Sequence, residues 1–124
     1  MKYTTLQDGD ILVVCCKGSV QERDEEHFKT LAKSCLENNV STVLFDWSKV
    51  TYFDSAGLEN LLKTYKMLRG SPTSKIAICI TEPDLIEAYR TLNFDRLIPL
   101  FTSKEEALKN LTPVNAAVSP DSTA

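Results

Sequence analysis

The segment that decides the fold of this chain is Asp54-Ser55-Ala56-Gly57-Leu58, which lies between a hydrophobic run and an amphipathic one. The run before it, at residues 42–47, reads Thr-Val-Leu-Phe-Asp-Trp and indicates a buried β-strand. After it, large apolar residues recur at helical spacing, at Leu58, Leu61, Leu62, Tyr65 and Leu68. A serine at such a helix start is exposed and close to unpartnered backbone N–H groups. Because these groups bind anions, Ser55 is a candidate to carry a phosphate.

Residue type alone leaves a second interpretation of Ser55 open. Serine is one of the residues preferred at the N-cap of a helix, where its side-chain oxygen accepts a backbone hydrogen bond. On that interpretation Ser55 would be structural only. The neighbouring Asp54 is expected either to orient the Ser55 hydroxyl or to cap the helix itself.

Length and composition bound the class of protein. The chain has 124 residues, of which 43% are hydrophobic and 25% are charged, as expected for a single globular domain. The net charge of −3 gives no basic surface for nucleic acid, so no nucleic-acid partner is expected. No apolar run is long enough to span a bilayer, and the first residues lack the apolar core of a signal peptide. We therefore expect a cytoplasmic protein without a membrane partner.

The residues that usually carry metal or redox chemistry are few and scattered. The four cysteines, Cys15, Cys16, Cys35 and Cys79, form no CxxC pair and have no histidine cluster near them. We expect reduced, mostly buried thiols and no metal site. The single histidine, His27, is expected on a helix surface. The chain also lacks a Gly-rich phosphate loop and a catalytic triad, so we predict no catalytic residue and no cofactor.

Hydrophobic periodicity and turn residues divide the chain into five strands and four helices. The strands are expected at residues 3–6, 11–17, 42–47, 75–80 and 96–100, and the helices at 22–38, 56–69, from 82 and from 103. Asp8-Gly9 indicates a hairpin between the first two strands. We expect Gly18-Ser19 to end the second strand, and residues 48–53 to connect the third strand to the second helix.

This alternation predicts an α/β domain with a mixed, mostly parallel sheet of about five strands, in the order β-β-α-β-α-β-α-β-α. The first hairpin would add one antiparallel strand. We expect the domain to cover residues 1–111. Residues 112–124 contain little to bury and are expected to form a disordered tail.

The element order, with Asp-Ser-x-Gly-Leu between the third strand and the second helix, resembles the STAS family. More narrowly, it is similar to the bacterial anti-sigma factor antagonists. The resemblance covers residues 3–111. It includes Gly18 after the second strand and an ending that reads Leu92-Asn93-Phe94, then Ile-Pro-Leu-Phe-Thr-Ser at 98–103, then Glu106-Ala107-Leu108.

The resemblance implies a binding protein rather than an enzyme. Members of that group bind a serine-kinase anti-sigma factor and so free a sigma factor for transcription. The kinase phosphorylates the serine after the motif aspartate, which is Ser55 here, and a PP2C-type phosphatase restores binding. The residues expected to bind the partner surround that serine: Gln21, Glu22, Asp54, Ser55, Ala56, Gly57, Glu59 and Lys63.

Two of these residues depart from the pattern of the family. Gln21 stands where family members commonly carry an acidic residue that contributes to kinase contact. Glu59 stands where glycine is frequent, and it adds a negative charge four residues after Ser55. These departures favour a second hypothesis, a STAS scaffold with a degenerate switch in a stressosome-like or lipid-transport complex. A small enzyme or ligand-binding domain is the third.

Overall fold

The computed structural model describes residues 1–70, 73 and 75–111. Its strands are β1 Lys2–Asp8, β2 Ile11–Val20, β3 Thr42–Phe53, β4 Lys75–Cys79 and β5 Leu100–Phe101. Its helices are α1 Glu25–Glu37, α2 Ser55–Leu68, α3 Pro83–Thr91 and α4 Lys104–Leu111, and short 3-10 turns cover Glu22–Asp24 and Phe94–Arg96. The predicted element order is confirmed. The predicted tail, 112–124, lies outside the described residues.

The strands form one sheet in the order β1-β2-β3-β4-β5. β1 is antiparallel to β2, and each later neighbouring pair is parallel, so the predicted mixed sheet is confirmed. Parallel crossovers are right-handed, and here they all advance in the same direction across the sheet. This places α1, α2 and α3 on one face of the sheet, whereas α4 follows the last strand and covers the other face.

Alternation along the strands divides the core between these two faces. In β3, Val43, Phe45 and Trp47 belong to the larger cluster under α1–α3. Leu44 belongs to the smaller cluster, which α4 covers with Ala107 and Leu111. Because successive side chains of a strand point to opposite faces, a single hydrophobic run can supply both clusters.

Several predicted element boundaries are wrong, and the largest errors lie next to the site. Residues 48–53 are not a connection, because β3 continues through them to Phe53 and pairs with the end of β2. Gly18-Ser19 does not end β2, because two register shifts let the strand bulge and continue to Val20. The last strand is Leu100–Phe101, since the chain at 94–96 forms a 3-10 turn instead.

The cysteines lie within this sheet and α1, and all four are free thiols. As expected from adjacent strand positions, Cys16 packs in the larger cluster and Cys15 against the smaller one. Burial raises the pKa of Cys16 to about 12 and that of Cys79 to about 11. Because the thiolate is the reactive form, these two thiols are unreactive at neutral pH.

Candidate functional site

The start of α2 is built by Asp54, the residue that links β3 to the helix. Its backbone is extended, with φ −114° and ψ 178°, and its Oδ1 accepts a hydrogen bond from the Gly57 N–H at 2.7 Å. Its carbonyl accepts from the Leu58 N–H at 3.0 Å. Asp54 is therefore the N-cap, in agreement with one of its two expected roles. The interpretation of Ser55 as the N-cap is wrong, because that position is already occupied.

Ser55 is the first residue of α2, and it is exposed. Its hydroxyl makes no hydrogen bond within the described part of the chain, since Asp54 accepts the bond that a capping serine would take. An exposed hydroxyl without an internal partner is available to a kinase. Its replacement by a phosphoester would remove no contact that the fold uses.

The electrostatics of this helix start favour an anion on Ser55. The first four N–H groups of a helix have no carbonyl before them, and the aligned peptide dipoles add positive potential there. The Asp54 N–H donates to the Val20 carbonyl and the Gly57 N–H to Asp54 Oδ1, which leaves the N–H groups of Ser55 and Ala56 for solvent or an anion. No acidic residue lies within the first turn of α2. A phosphate on Ser55 would therefore meet unpaired donors.

Gly57 is buried at the contact between α2 and the end of β2. A Cβ atom on this residue would overlap the carbonyl oxygen of Val20, and it would lie 2.6 Å from the Val20 carbonyl carbon and 3.1 Å from the Gln21 nitrogen. The two elements approach so closely that only glycine fits without a backbone shift. This internal contact explains the glycine, while its direct contact with a partner stays a prediction.

The junction between β2 and α1 is held against α2 by Asn60. This buried side chain donates from Nδ2 to the carbonyl oxygens of Gln21, at 3.0 Å, and Glu22, at 3.3 Å. The structure thus brings Gln21 and Glu22 beside the first turns of α2, although they are more than thirty residues from Ser55. Asn60 is not among the site residues predicted from the sequence. Its signal is the spacing of Gly57, Asn60 and Thr64, which marks a stripe of small or polar residues beside the apolar face of the helix.

Asp24 fixes the conformation of the same junction from the other side. Its buried carboxylate accepts from the Gln21 N–H at 2.7 Å, and its second oxygen lies 3.0 Å from the amino group of Met1. Through these two contacts, Asp24 holds Gln21 half-buried at the start of the 3-10 turn. The position where relatives are expected to carry an acid is therefore rigidly placed.

The remaining candidate residues lie along the outside of α2. Glu59 is exposed, one turn after Ser55, and joins no ion pair among the residues described. Lys63 is also exposed, and its Nζ lies 3.3 Å from Oε2 of Glu25 on α1. Ala56 is half-buried. Around Ser55, then, the charge of the predicted set without an ion-pair partner among the described residues is negative, from Glu22, Asp54 and Glu59.

In the part of the chain that the structure describes, no group of three or more His, Cys, Asp or Glu side chains is placed to hold a metal ion. His27 is exposed, and its ring packs edge-on against that of Tyr3 at 5.6 Å. None of the helices described is both long and apolar enough to cross a membrane.

The sequence profile of the STAS domain matches residues 2–107, and this chain therefore belongs to the STAS domain family. The chain is also similar to BtrV of Bordetella bronchiseptica, whose name places it among the anti-sigma factor antagonists. The two are 25% identical over 107 residues, which cover 86% of this chain and 91% of BtrV. The family predicted from the motif and the element order is confirmed.

Solved structures share the fold at lower sequence identity. An anti-sigma factor antagonist from Mycobacterium paratuberculosis has a TM-score of 0.78 at 17% identity, covering 90% of this chain and 94% of that one. The phosphorylated form of SpoIIAA, a Bacillus cell fate determinant, has a TM-score of 0.63 at 12% identity, covering 89% and 99%. A sulfate transporter family protein from Wolinella succinogenes has a TM-score of 0.72 at 13% identity, covering 85% and 87%. At such identities these matches establish the fold.

Proposed function

We propose that this chain is an anti-sigma factor antagonist whose binding to a serine-kinase anti-sigma factor is switched off by phosphorylation of Ser55. The observation that carries the proposal is the exposed Ser55 hydroxyl, which has no internal partner because Asp54 caps the helix. In this role the chain acts in the cytoplasm as a binding protein without enzymatic activity. It activates sigma-dependent transcription indirectly, by occupying the anti-sigma factor.

The switch works through local charge. Phosphorylation adds about −1.5 to −2 charge at Ser55. The unpaired N–H groups of Ser55 and Ala56 can donate hydrogen bonds to the phosphate oxygens, so the fold survives modification. A partner surface that fits the neutral hydroxyl would have to bury the charged phosphate, which would lose its hydration, so binding becomes weaker. A coupling of about 1–3 kcal/mol, typical of such switches, changes the bound fraction severalfold or more.

The neighbouring residues define the surface that the kinase reads. Gln21 and Glu22 are held beside α2 by Asn60, and Glu59 continues the surface along the helix. The exposed carboxylates of Glu22 and Glu59 favour a kinase surface with complementary basic groups. A PP2C-type phosphatase completes the cycle, by hydrolysing the phosphoester and restoring the neutral hydroxyl.

Intact mass spectrometry after incubation with the cognate serine-kinase anti-sigma factor and ATP tests the proposal. We expect the mass gain of one phosphoryl group, its absence in Ser55→Ala, and its loss on treatment with a PP2C-type phosphatase. Ser103→Ala is the matched control, because Ser103 also lies at a helix start but its hydroxyl accepts the Glu106 N–H at 3.1 Å. This control should be phosphorylated like the wild type. An unmodified wild-type chain that also fails to bind kinases of this type would refute the proposal.

The second candidate function is a STAS scaffold whose switch is degenerate, in a stressosome-like or lipid-transport complex. Glu59 favours it, because an exposed carboxylate one turn after Ser55 already supplies part of the charge that a phosphate would add. Binding of the purified partner to wild type, Ser55→Ala and Ser55→Asp separates the two functions. Equal affinities for all three variants support the scaffold, and selective loss of binding by Ser55→Asp supports the switch.

A further inference from the structure

The outer edge of β1 is a second surface prepared for binding. β1, Lys2–Asp8, is the first strand of the sheet, and only β2 pairs with it among the described strands. Six of its seven residues are exposed, including Leu6 at 56%. An edge strand of this length presents a row of unpaired backbone N–H and C=O groups, which can template pairing with another strand.

The hairpin fixes which backbone groups face outward. β1 and β2 pair without a register shift up to Asp8 and Ile11, which flank the two-residue turn Gly9–Asp10. Gly9 has φ +62°, as the first central residue of a type II′ turn requires. The pair that flanks such a turn exchanges backbone hydrogen bonds, and hydrogen-bonded pairs then alternate along the ladder. The backbone N–H and C=O groups of the even-numbered residues of β1 therefore bond to β2, and the backbone groups of Tyr3, Thr5 and Gln7 face outward.

The sequence of β1 is complementary to itself in the register that these outward groups allow. An antiparallel pairing of two copies about a two-fold axis at Thr5 matches outward residues with outward residues, so all seven positions overlap. Lys2 of each copy then lies opposite Asp8 of the other, which forms two ion pairs. Leu6 of each copy lies opposite Thr4 and diagonal to the other Leu6, within contact distance on one face of the sheet.

The charges at both ends of β1 form no ion pair with any other described residue of the same chain. Lys2 lies directly opposite Lys17 in the β1–β2 register, and like charges in that arrangement are unfavourable. Within the described residues, neither lysine forms an ion pair with a carboxylate, and Asp8 forms none with a cation. A second copy would bring a carboxylate to each pair of lysines and a lysine to each Asp8.

We infer that β1 pairs with β1 of a second copy of this chain, in antiparallel register about Thr5, to form a homodimer with a continuous ten-stranded sheet. The inference is independent of the proposed function, because it uses no residue from Asp54 to Lys63. Since one strand per copy makes the contact, the interface lies at the small end of protein interfaces. We expect a dimer dissociation constant in the micromolar-to-millimolar range.

Charge reversal tests the register directly. Sedimentation equilibrium of the wild type, up to about 1 mM, is compared with Lys2→Glu, Asp8→Lys and the double variant. Each single variant places like charges opposite each other at both ends of the interface, so we expect its dimer dissociation constant to rise about tenfold. The double variant exchanges the two charges and should restore dimerisation. Circular dichroism verifies that each variant is folded.

Two proline substitutions test which residues of β1 direct their backbone N–H groups toward the second copy. Thr5→Pro removes an N–H that faces the second copy but leaves the β1–β2 ladder intact, so it should abolish the dimer and keep the fold. Thr4→Pro, the matched control, removes an N–H bonded to β2 and should lower stability instead. A wild type that stays monomeric throughout, or a dimer that is unaffected by both single charge reversals, would overturn the inference. The latter outcome would assign dimerisation to another surface.

Discussion

The helix starts of α2 and α4 both carry a serine, and they use it in opposite ways. At α4, Ser103 precedes the helix and its Oγ accepts the Glu106 N–H at 3.1 Å. At α2, Asp54 performs the same task toward Gly57 at 2.7 Å, and Ser55 occupies the next position. One serine hydroxyl is therefore part of the fold, whereas the other is exposed without an internal partner. A displacement of one residue along the chain separates a structural serine from a candidate switch.

The third helical residue differs between the two starts as much as the serine does. At α4 this residue is the exposed Glu106, whereas at α2 it is Gly57, which is buried against Val20. The start of α2 is thus fixed twice, by its cap and by close contact with the end of β2. A rigid frame of this kind presents Ser55 in one geometry.

Gly57→Ala should have the largest effect. Its Cβ would overlap the backbone of Val20, which cannot move aside as a flexible side chain would. We expect a loss of about 3 kcal/mol or more in the free energy of unfolding, measured by urea denaturation. Glu106→Ala is the control at the equivalent position of α4, and we expect it to cost no more than about 0.5 kcal/mol. Equal effects of the two substitutions would show that the close contact is not a constraint.

Asp54→Ala should rank second. It removes the acceptor of the Gly57 N–H within a partly buried helix start, so we expect a loss of about 1–2 kcal/mol in unfolding free energy. Asp54→Asn keeps a side-chain oxygen at the same place and should recover most of that loss in the same denaturation series. If alanine and asparagine cost the same, the cap does not depend on the side-chain acceptor.

Ser103→Ala should follow with a smaller loss, of about 0.5–1 kcal/mol, because its cap lies at an exposed end of a short helix. The loss should appear as earlier exchange of the α4 amides in hydrogen exchange measurements. Ser103→Asp, which keeps an acceptor, should preserve protection. Unchanged exchange in Ser103→Ala would contradict the structural role assigned to this hydroxyl.

Ser55→Ala should have the smallest effect on stability, within about 0.5 kcal/mol of the wild type, because the hydroxyl makes no internal contact. The thermal unfolding midpoint measures this directly, with Ser103→Ala as the comparison. A stability loss in Ser55→Ala that equals the loss in Ser103→Ala would end the distinction between the two serines. Together with the phosphorylation experiment, this result separates a switch from a cap.

Much of the fold follows from local patterns. The periodicity of α2 and the short apolar run of β3 predict both elements around Ser55, because each pattern is complete within a few residues. The end of β3 was not predicted. Beyond Trp47 the exposed Ser48, Lys49, Thr51 and Tyr52 read as a connection. That segment is a strand only because the bulged end of β2 lies beside it.

The same distinction holds for the candidate site. The motif identified Ser55, but the choice of Asp54 over Ser55 as the cap depends on where β3 ends. The requirement for glycine at position 57 and the role of Asn60 depend on contacts with Val20, Gln21 and Glu22, distant in sequence. No local pattern contains those distances.

By itself, the sequence determined the family, the order of the elements and the position of a serine at the start of the second helix. These properties depend on hydrophobic period and short motifs, which act over one or two turns of chain. Only the tertiary structure decided that Asp54 caps the helix and that the Ser55 hydroxyl makes no internal contact. It also decided that Gln21 and Glu22 lie beside α2, since two hydrogen bonds from Asn60 hold together segments that are far apart along the chain.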